Sequence, residues 1–495
     1  MKLLRDSAWS LSSSVLPTLV SIATVPFFVS AIGAGRYGVL AIAWLVLGYF
    51  GAADFGIGRA ITQRISAMRG ESRAAMASAV WSALVSMAVF GLAGAVLVFI
   101  ASRWYFGGPF QAERGLRGEI LAAVWILALC NPVVTVNGVL SGALIGLERF
   151  RFVSVCTTLS NTALLLFPLF TAWWISTDLS ALILASLAAR ILGMIPLAVG
   201  AWAAFLRGEM ALFSKAEFGR LANFGAWIMV TALVGPIMVS ADRFLIGAFQ
   251  NAAAVAAYAI PFQIASRTLM FPVAVTQALF PRFASDDIAA SAARCRDFTV
   301  LVAQSFAPLI VALICLAAPL LELWLGDALD PRSVIVAQFV LAGFWSNAVA
   351  QVPYGFIQAR GNPRFTALLH LAELPFYLAL LFALGGRFGL TGYAAAFGLR
   401  CLADCLLLCR KAGAADGYVM VRMAISGVLV IGAVLAGTLI GNWWVLLSSA
   451  CGFALLAFLA LAAGLPPAIR NRLAELPLLR SRIGMWALTG RPPSG

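Results

Sequence analysis

Long hydrophobic segments recur along the whole chain, and short polar or charged stretches separate them. Each segment reaches the length of about 20 apolar residues that an α-helix needs to cross a bilayer. The pattern therefore predicts about fourteen transmembrane helices and no strands. The expected spans are residues 7–35, 37–58, 75–101, 120–146, 152–175, 180–205, 222–249, 254–281, 299–325, 333–358, 365–385, 389–409, 420–440 and 443–463.

An internal repeat relates the first half of the chain to the second. The segment Gly142–Phe152 at the end of the fourth span aligns with Gly355–Phe365 at the end of the tenth, at an offset of 213 residues. With nearly the same offset, Leu179–Arg190 aligns with Leu390–Arg400. Because an even number of spans separates the copies, both halves insert in the same direction. The repeat therefore predicts two bundles related by a pseudo-two-fold axis along the membrane normal.

The predicted fold class is an all-α polytopic membrane protein. We expect an N-terminal six-helix bundle at residues 1–206 and a C-terminal six-helix bundle at residues 207–411. Two additional transmembrane helices follow at residues 412–464, and a basic cytoplasmic tail occupies residues 465–495. Two bundles of this kind enclose a cavity between them.

Composition and charge support a membrane protein and exclude a soluble one. Of the residues, 62% are hydrophobic and only 11% are charged, with a mean hydropathy of +0.97. The net charge of +14 comes from residues in short loops, so it indicates membrane topology rather than a nucleic-acid partner. Most of the 34 lysines and arginines lie on the side that carries the N-terminus. Both termini are therefore expected in the cytoplasm.

Several kinds of chemistry lack their motifs in this sequence. None of the three lysines, Lys2, Lys215 and Lys411, follows a glycine, so the chain has no phosphate-binding loop for ATP hydrolysis. A single histidine and scattered cysteines predict no zinc site and no disulfide framework. Polymerases and glycosyltransferases of membranes place their chemistry on a large outer loop, which is absent. We expect no cofactor and no enzyme activity.

Nine ionisable residues inside predicted spans are the candidates for a functional role, since each charge costs about 2.5 to 3.5 kcal/mol at the helix centre. Such residues need a partner, a wet cavity or an interface. Arg190 and Arg267 have no acidic residue within one turn, so they are the first candidates to bind an anionic group. Snorkelling to the interface is the alternative for both. The nine are Asp54, Arg190, Asp242, Arg243, Arg267, His370, Glu373, Arg400 and Asp404.

The paired charges have structural interpretations as well as functional ones. Arg400 and Asp404 are four residues apart on one helix face, which favours an ion pair over a binding role. Asp242 and Arg243 point about 100° apart on a helix, so we expect each to engage other helices rather than face the other. Asp54 lies at the end of its span and is a candidate for a boundary ion pair.

Glu373 is the first candidate for ion coupling. It shares a helix face with His370 and Tyr377 in an otherwise apolar segment, and a buried glutamate can take up and release a proton. The alternative is a glutamate hydrogen-bonded to His370 that holds two helices together. His370, Asp242, Asp404 and Asp54 are the further coupling candidates.

Uncharged polar residues form stripes on some of the predicted spans. Asn347, Gln351 and Gln358 lie on the tenth span, and Asn161 lies on the fifth. Amide side chains of this kind suit sugar hydroxyls, although hydrogen bonds between helices explain them as often.

Several motifs, in this order and spacing, resemble those of bacterial polysaccharide flippases. These proteins are also called Wzx-like or oligosaccharide flippases, and they belong to the multidrug/oligosaccharidyl-lipid/polysaccharide exporter superfamily. The motifs are ADRFLIGAF at 241–249 with AVAAY at 254–258 and LFPRF at 279–283, GLERFR at 146–151, PLLELWLG at 319–326, QARGNPR at 358–364 and GLTGYAAAF at 389–397.

The resemblance implies a fold and a function. Two bundles would form a V-shaped cavity that alternates between the membrane faces of the bacterial cytoplasmic (inner) membrane. The substrate would be undecaprenyl diphosphate bearing a short glycan, moved to the periplasmic leaflet for O-antigen, capsule or exopolysaccharide assembly. A gradient of H+ or Na+ would drive transport, and a polysaccharide polymerase would be a partner.

The arginines Arg190, Arg267, Arg243 and Arg400 would pair with the diphosphate, while Asn347, Gln351 and Asn161 hold the glycan.

Two other functions remain open from the sequence. A cation-coupled exporter of drugs or small molecules shares the architecture of this superfamily. A membrane-embedded oligosaccharide polymerase is the second alternative, and it would require the large outer loop that the chain lacks.

Overall fold

The computed structural model describes residues 2–52, 57–68, 70–209, 212–440 and 443–464. Within these ranges every regular element is helical. Asp54 and the expected tail from residue 465 lie outside the described residues. The α-helices are α1 (Lys2–Ala52), α2 (Ile57–Ala67), α3 (Arg73–Gly107), α4 (Arg114–Gly146), α5 (Phe150–Trp174), α6 (Leu179–Ala201), α7 (Lys215–Phe249), α8 (Ala252–Arg267), α9 (Met270–Ser285), α10 (Ile288–Cys315), α11 (Ala317–Leu325), α12 (Arg332–Ala359), α13 (Pro363–Lys411), α14 (Gly417–Leu439) and α15 (Trp443–Gly464).

The number of membrane spans agrees with the hydropathy pattern. Ten helices in the described part of the chain are long and apolar enough to cross a membrane. Two of them, α1 and α13, each contain a non-helical glycine, Gly33 and Gly389, and therefore consist of two helical segments each. With α7 and the consecutive pair α8 and α9, the total reaches fourteen spans. The prediction of an all-α polytopic membrane protein is confirmed.

The two segments of α13 fold back on each other at Gly389. This residue has φ 60° and ψ −137°, a backbone conformation that only glycine adopts without strain. On either side of it, Gly385 faces the ring of Tyr393 and Gly392 faces the backbone of Leu384. The segments are therefore antiparallel, and residues equally distant from Gly389 lie opposite each other. This register brings Glu373 close to Asp404, 31 positions later in the chain.

Polar residues in the loops cap the helices. In each case a side-chain oxygen accepts a hydrogen bond from a backbone N–H of the first turn, which would otherwise have no partner. These caps explain why helices begin directly after short polar connections between apolar segments. The capping residues are Ser72 for α3, Asp178 for α6, Ser214 for α7, Asp287 for α10, Asn362 for α13 and Asp416 for α14.

The chain divides into two compact units, and the first comprises Met1–Ala259. In this unit α4 packs against α3 and α6, and α5 packs against α1 and α6. The helix α7 is fixed at both ends. The Tyr105 hydroxyl donates to the carbonyl oxygen of Phe244 at 2.7 Å, and Arg64 of α2 makes two hydrogen bonds to Glu217. The expected domain boundary after residue 206 lies inside this unit.

The second unit comprises Ile260–Gly495. Within it, α12 is central and packs against α9, α10 and α13. The last two described helices, α14 and α15, both pack against α10. The polar residues of α12 and α13 described below therefore lie within one unit.

Candidate functional site

Three ionisable side chains meet inside the α13 hairpin. His370 and Glu373 come from its first segment and Asp404 from its second. Nε2 of His370 lies 3.5 Å from Oδ1 of Asp404, and one ligand atom from each of the three residues lies within 4.8 Å of the others. Glu373 is 8% exposed and Asp404 is 5% exposed. We call His370, Glu373 and Asp404 the hairpin triad.

The two carboxyl groups of the triad need a positive charge between them. Neither oxygen of Glu373 has a hydrogen-bond donor among the described residues. A carboxylate oxygen of Glu373 and one of Asp404 lie within 4.8 Å of each other. Two ionised carboxylates cannot be this close in a buried site without a large energetic cost. The nearby charge of Arg400 offsets part of this repulsion, and a bound proton or cation would offset the rest.

The position of Glu373 corrects one interpretation from the sequence. A glutamate hydrogen-bonded to His370 was the alternative, but the imidazole lies nearest to Asp404 and not to Glu373. The reason is the antiparallel register of the hairpin, which places His370 of the first segment opposite Asp404 of the second. His370 also stacks on Tyr354 of α12, with ring centroids 6.0 Å apart and an angle of 9° between the planes.

Arg400 does not form the predicted ion pair with Asp404. Nη2 of Arg400 lies 3.2 Å from the sulfur of Cys401, and its guanidinium lies over the rings of Tyr377 and Phe397 at 5.4 and 5.5 Å. The prediction is wrong because Asp404 faces the opposite segment of the hairpin, whereas the guanidinium packs on aromatic faces. Arg400 is 8% exposed, and its Nε has no acceptor among the described residues.

The polar stripe on α12 contacts the same hairpin. Nε2 of Gln351 donates to Oδ1 of Asn347 at 3.0 Å, and Nδ2 of Asn347 lies 4.0 Å from the sulfur of Cys401. Tyr354, which the sequence analysis did not single out, continues the stripe towards Gln358. It lies three residues after Gln351 and four before Gln358, so helical spacing was the signal that could have identified it.

A pocket opens beside this stripe, between α9 and α12. Its volume is about 420 Å³. From α12 it is lined by Gln351, Tyr354 and Gln358, and from α9 by Thr276, Gln277 and Phe280. The sequence analysis missed the three residues of α9, because a lone Thr-Gln pair in an apolar helix carries no distinctive pattern.

The first unit contains one candidate, Arg190, that has no acidic partner. It is half-buried on α6 and lies beside Cys130 of α4. Its Nε has no acceptor among the described residues, as is also true of Arg400 at the equivalent position of the repeat. Asn161 is half-buried on α5, the neighbour of α6. An unpaired guanidinium of this kind can bind an anion through two parallel hydrogen bonds.

Arg267 occupies a different setting from Arg190. It is the last residue of α8, directly before the break that separates α8 from α9, and its side chain is exposed. No acidic side chain among the described residues pairs with it. Arg267 is therefore available to a ligand from outside the helix.

Asp242 and Arg243 form a closed cluster in the first unit, which corrects another expectation. Nη1 of Arg243 lies 3.4 Å from Oδ1 of Asp242, and the Tyr258 hydroxyl donates to Oδ2 of Asp242 at 2.7 Å. The expectation that the two charges do not face each other is wrong, because the long arginine side chain folds back and reaches the carbonyl of Val239. Asp242 also engages α8 through Tyr258, as expected of a residue that contacts another helix.

Sequence comparison places the chain among known proteins. The sequence model described as "Polysaccharide biosynthesis protein" matches residues 3–286, more than half of the chain. The chain belongs to this family. A protein of Shigella flexneri named "Putative O-antigen transporter" is 30% identical over 416 residues, which cover 82% of this chain and 97% of that relative.

The fold is also similar to those of solved transporters. The structure titled "Lipid II flippase MurJ, inward closed conformation" has a TM-score of 0.71 and 14% identity, and the match covers 95% of this chain and all of that chain. An inward-facing multidrug resistance MATE family transporter of the MOP superfamily has a TM-score of 0.65 and 12% identity over 86% of this chain and 98% of that chain. At these identities the likeness concerns the fold alone. The family match and the 30% identical relative confirm the resemblance of the motifs to the polysaccharide family.

Proposed function

We propose that this chain is a flippase for a lipid-linked oligosaccharide. The observation that carries the proposal is the match in sequence to the O-antigen transporter relative, which extends over 97% of that protein. The substrate we propose is undecaprenyl diphosphate bearing a short glycan, and the protein moves it from the cytoplasmic to the periplasmic leaflet for polysaccharide assembly. A polysaccharide polymerase would use the product.

The proposed orientation follows from the positively charged loops. Most lysines and arginines lie in connections on the side of the N-terminus, and such connections stay in the cytoplasm. Both termini are then cytoplasmic, and the protein resides in the inner membrane. The repeats at residues 1–206 and 207–411 would alternate access to the two sides, with the helices of 412–464 and the tail from residue 465 as additions to them.

Arg190 and Arg267 are the proposed ligands of the diphosphate. Each carries a guanidinium without an acidic partner among the described residues, and a diphosphate offers the planar pairs of oxygens that a guanidinium binds best. Arg400 is a weaker candidate because aromatic rings cover it, and Arg243 is a weaker one because Asp242 pairs with it. Asn161, Asn347 and Gln351 are proposed to contact the glycan.

The hairpin triad is the proposed site of ion coupling. Glu373 and Asp404 are adjacent buried carboxyl groups whose repulsion a bound H+ or Na+ would offset, and His370 lies beside Asp404. Loss of that charge leaves two buried carboxylates that repel each other, so the occupied and empty states favour different arrangements of the hairpin. A gradient of the ion can then drive the transport cycle without ATP.

The alternative of a drug exporter has weaker support. The likeness to multidrug transporters concerns the fold, at 12% identity, whereas the sequence match to the O-antigen transporter relative reaches 30%. A polymerase is also less favoured, because the named relatives are transporters and a flippase.

Genetic complementation tests the proposal. In the source bacterium without its own copy of this gene, the wild-type chain should restore the surface polysaccharide. Arg190→Ala and Arg267→Ala should abolish the restoration at unchanged protein level. The matched control is Arg332→Ala, since this exposed arginine pairs with the nearby Asp330 and with no other acid in the described part of the chain, and it should retain full activity. If the gene is dispensable for the polysaccharide and its loss instead sensitises cells to drugs, the exporter replaces the flippase.

A further inference from the structure

The pocket between α9 and α12 has the size and lining of a site for a small neutral ligand. Its volume of about 420 Å³ lies within the range of roughly 300 to 1,000 Å³ that small-molecule pockets have. None of the side chains that line it carries a charge. The close approach of α9 to α12 at one end, where Gly355 meets Thr276, leaves the polar groups on both helices facing the same space.

The Thr276 hydroxyl is the most informative group in this pocket. Thr276 is 8% exposed, and its Oγ1 has no hydrogen-bond partner among the described residues. A buried hydroxyl without a partner costs free energy, and native proteins rarely leave one unpaired. A ligand that supplies a hydroxyl or carbonyl group at this point removes that cost.

The other polar groups also suit a ligand with several hydroxyls. The side chains of Gln277, Gln351 and Gln358 each offer both a donor and an acceptor, and a sugar hydroxyl is likewise both. An anion would find no cation among the residues that line the pocket, and a lipid tail would leave the Thr276 hydroxyl without a partner. Tyr354 and Phe280 add ring surfaces, on which the apolar face of a sugar ring can pack.

Two arginines lie close to the end of the pocket that Pro281 lines. Pro281 lines the pocket, and the next residue, Arg282, is exposed. Arg360 follows the end of α12 directly after the stripe, and its Nη1 donates to the backbone carbonyls of Phe283 and Asp286 at the end of α9. A glycan attached to a diphosphate has this arrangement of a neutral part next to an anionic one.

We propose that the α9–α12 pocket is a subsite for neutral sugar residues of the transported lipid, with Thr276 and Gln277 as specificity-determining residues. The proposal deepens the flippase function and rests on it. Thr276 and Gln277 contact hydroxyls, Tyr354 supports the ring, and the lipid tail stays in the bilayer.

Binding measurements with two probes test this subsite. The purified chain in nanodiscs is titrated with the lipid-linked repeat unit extracted from the source bacterium, and separately with undecaprenyl diphosphate that carries no sugar. Thr276→Val and Gln277→Leu should each weaken binding of the first probe about tenfold, the effect of one lost hydrogen bond. Binding of the sugar-free probe should be unchanged in both variants.

The controls separate this proposal from the proposed function. Thr276→Val removes a buried hydroxyl without a partner, so the melting temperature should not fall below the wild-type value. Thr438→Val on α14, which lies outside the pocket, should bind both probes like the wild type. If Thr276→Val and Gln277→Leu weaken both probes equally or neither, the subsite is overturned while the flippase function stands. If the wild-type chain binds neither probe, both are overturned.

Discussion

Glu148 and Gly361, at equivalent positions of the internal repeat, share the same left-handed backbone conformation. Their φ angles are 59° and 78°. Around each, the helix ends with the same pair of hydrogen bonds: the N–H of Glu148 donates to Ile145 and the next N–H to Leu144, as Gly361 donates to Gln358 and the next N–H to Ile357. The two halves of the chain therefore end α4 and α12 with one turn geometry, which supports the sequence alignment of the repeat.

The first prediction concerns this turn. Gly361→Ala should destabilise the protein by about 1 kcal/mol, because a Cβ is unfavourable at positive φ while nothing lies within 4 Å of the added atom. The measurement is the melting temperature in detergent. Gly386→Ala is the control, since this helical glycine of α13 also has open space around it and should gain stability from its higher helix propensity. Shifts of the same sign in both variants would contradict the backbone argument.

The fold was predictable from the sequence because hydropathy and helix caps act locally. The spans follow directly from uninterrupted apolar segments, and the hairpin at Gly389 lies where two expected spans meet. The contacts of the site depend on more than local pattern. Glu373 and Asp404 were both candidates, but their contact depends on the antiparallel register across Gly389, which no single-helix argument supplies.

The errors at the site have one physical cause. Helical spacing gives the direction of a Cβ but not the rotamer of a long side chain. Arg400 was expected to form an ion pair with Asp404, but its guanidinium packs on Tyr377. Arg243 was expected to point away from Asp242, but its side chain folds back and pairs with it. Thr276 was missed because its role depends on the neighbouring helix, whereas the spacing of Tyr354 on α12 could have identified it.

The second prediction concerns the hairpin triad. Glu373→Gln should remove the need for a shared positive charge, because an amide can donate a hydrogen bond to Asp404 without a bound ion. The wild-type melting temperature should change with pH or with added sodium, and that of Glu373→Gln should change less. A comparison of acidification with sodium titration identifies the ion. Equal responses of the two proteins would exclude the triad as the coupling site.

The third prediction concerns the hydrogen bond that the Tyr258 hydroxyl donates to the buried carboxylate of Asp242. Tyr258→Phe leaves a buried carboxylate oxygen without its donor, so it should cost about 1.5 to 3 kcal/mol of stability. Tyr105→Phe removes a hydrogen bond of the same 2.7 Å length to the neutral carbonyl of Phe244, and it should cost only about 0.5 to 1.5 kcal/mol. Similar losses for both variants would show that the charge of Asp242 is not held by Tyr258.

The last prediction concerns the ion pair that joins α2 to α7 outside the membrane spans. Hydrogen bonds from Arg64 hold the pKa of Glu217 below its ordinary value of 4.5. A lowered carboxylate pKa contributes stability above the unfolded value, and that contribution is lost as the pH falls through the folded value. The melting temperature of the wild type should therefore fall more steeply on acidification below pH 4.5 than that of Glu217→Gln.

Glu71→Gln is the matched control, because Glu71 lies 3.9 Å from the same guanidinium but is about half exposed, and it should follow the wild type. An acid response of Glu217→Gln as steep as that of the wild type would assign the pH dependence to other carboxylates.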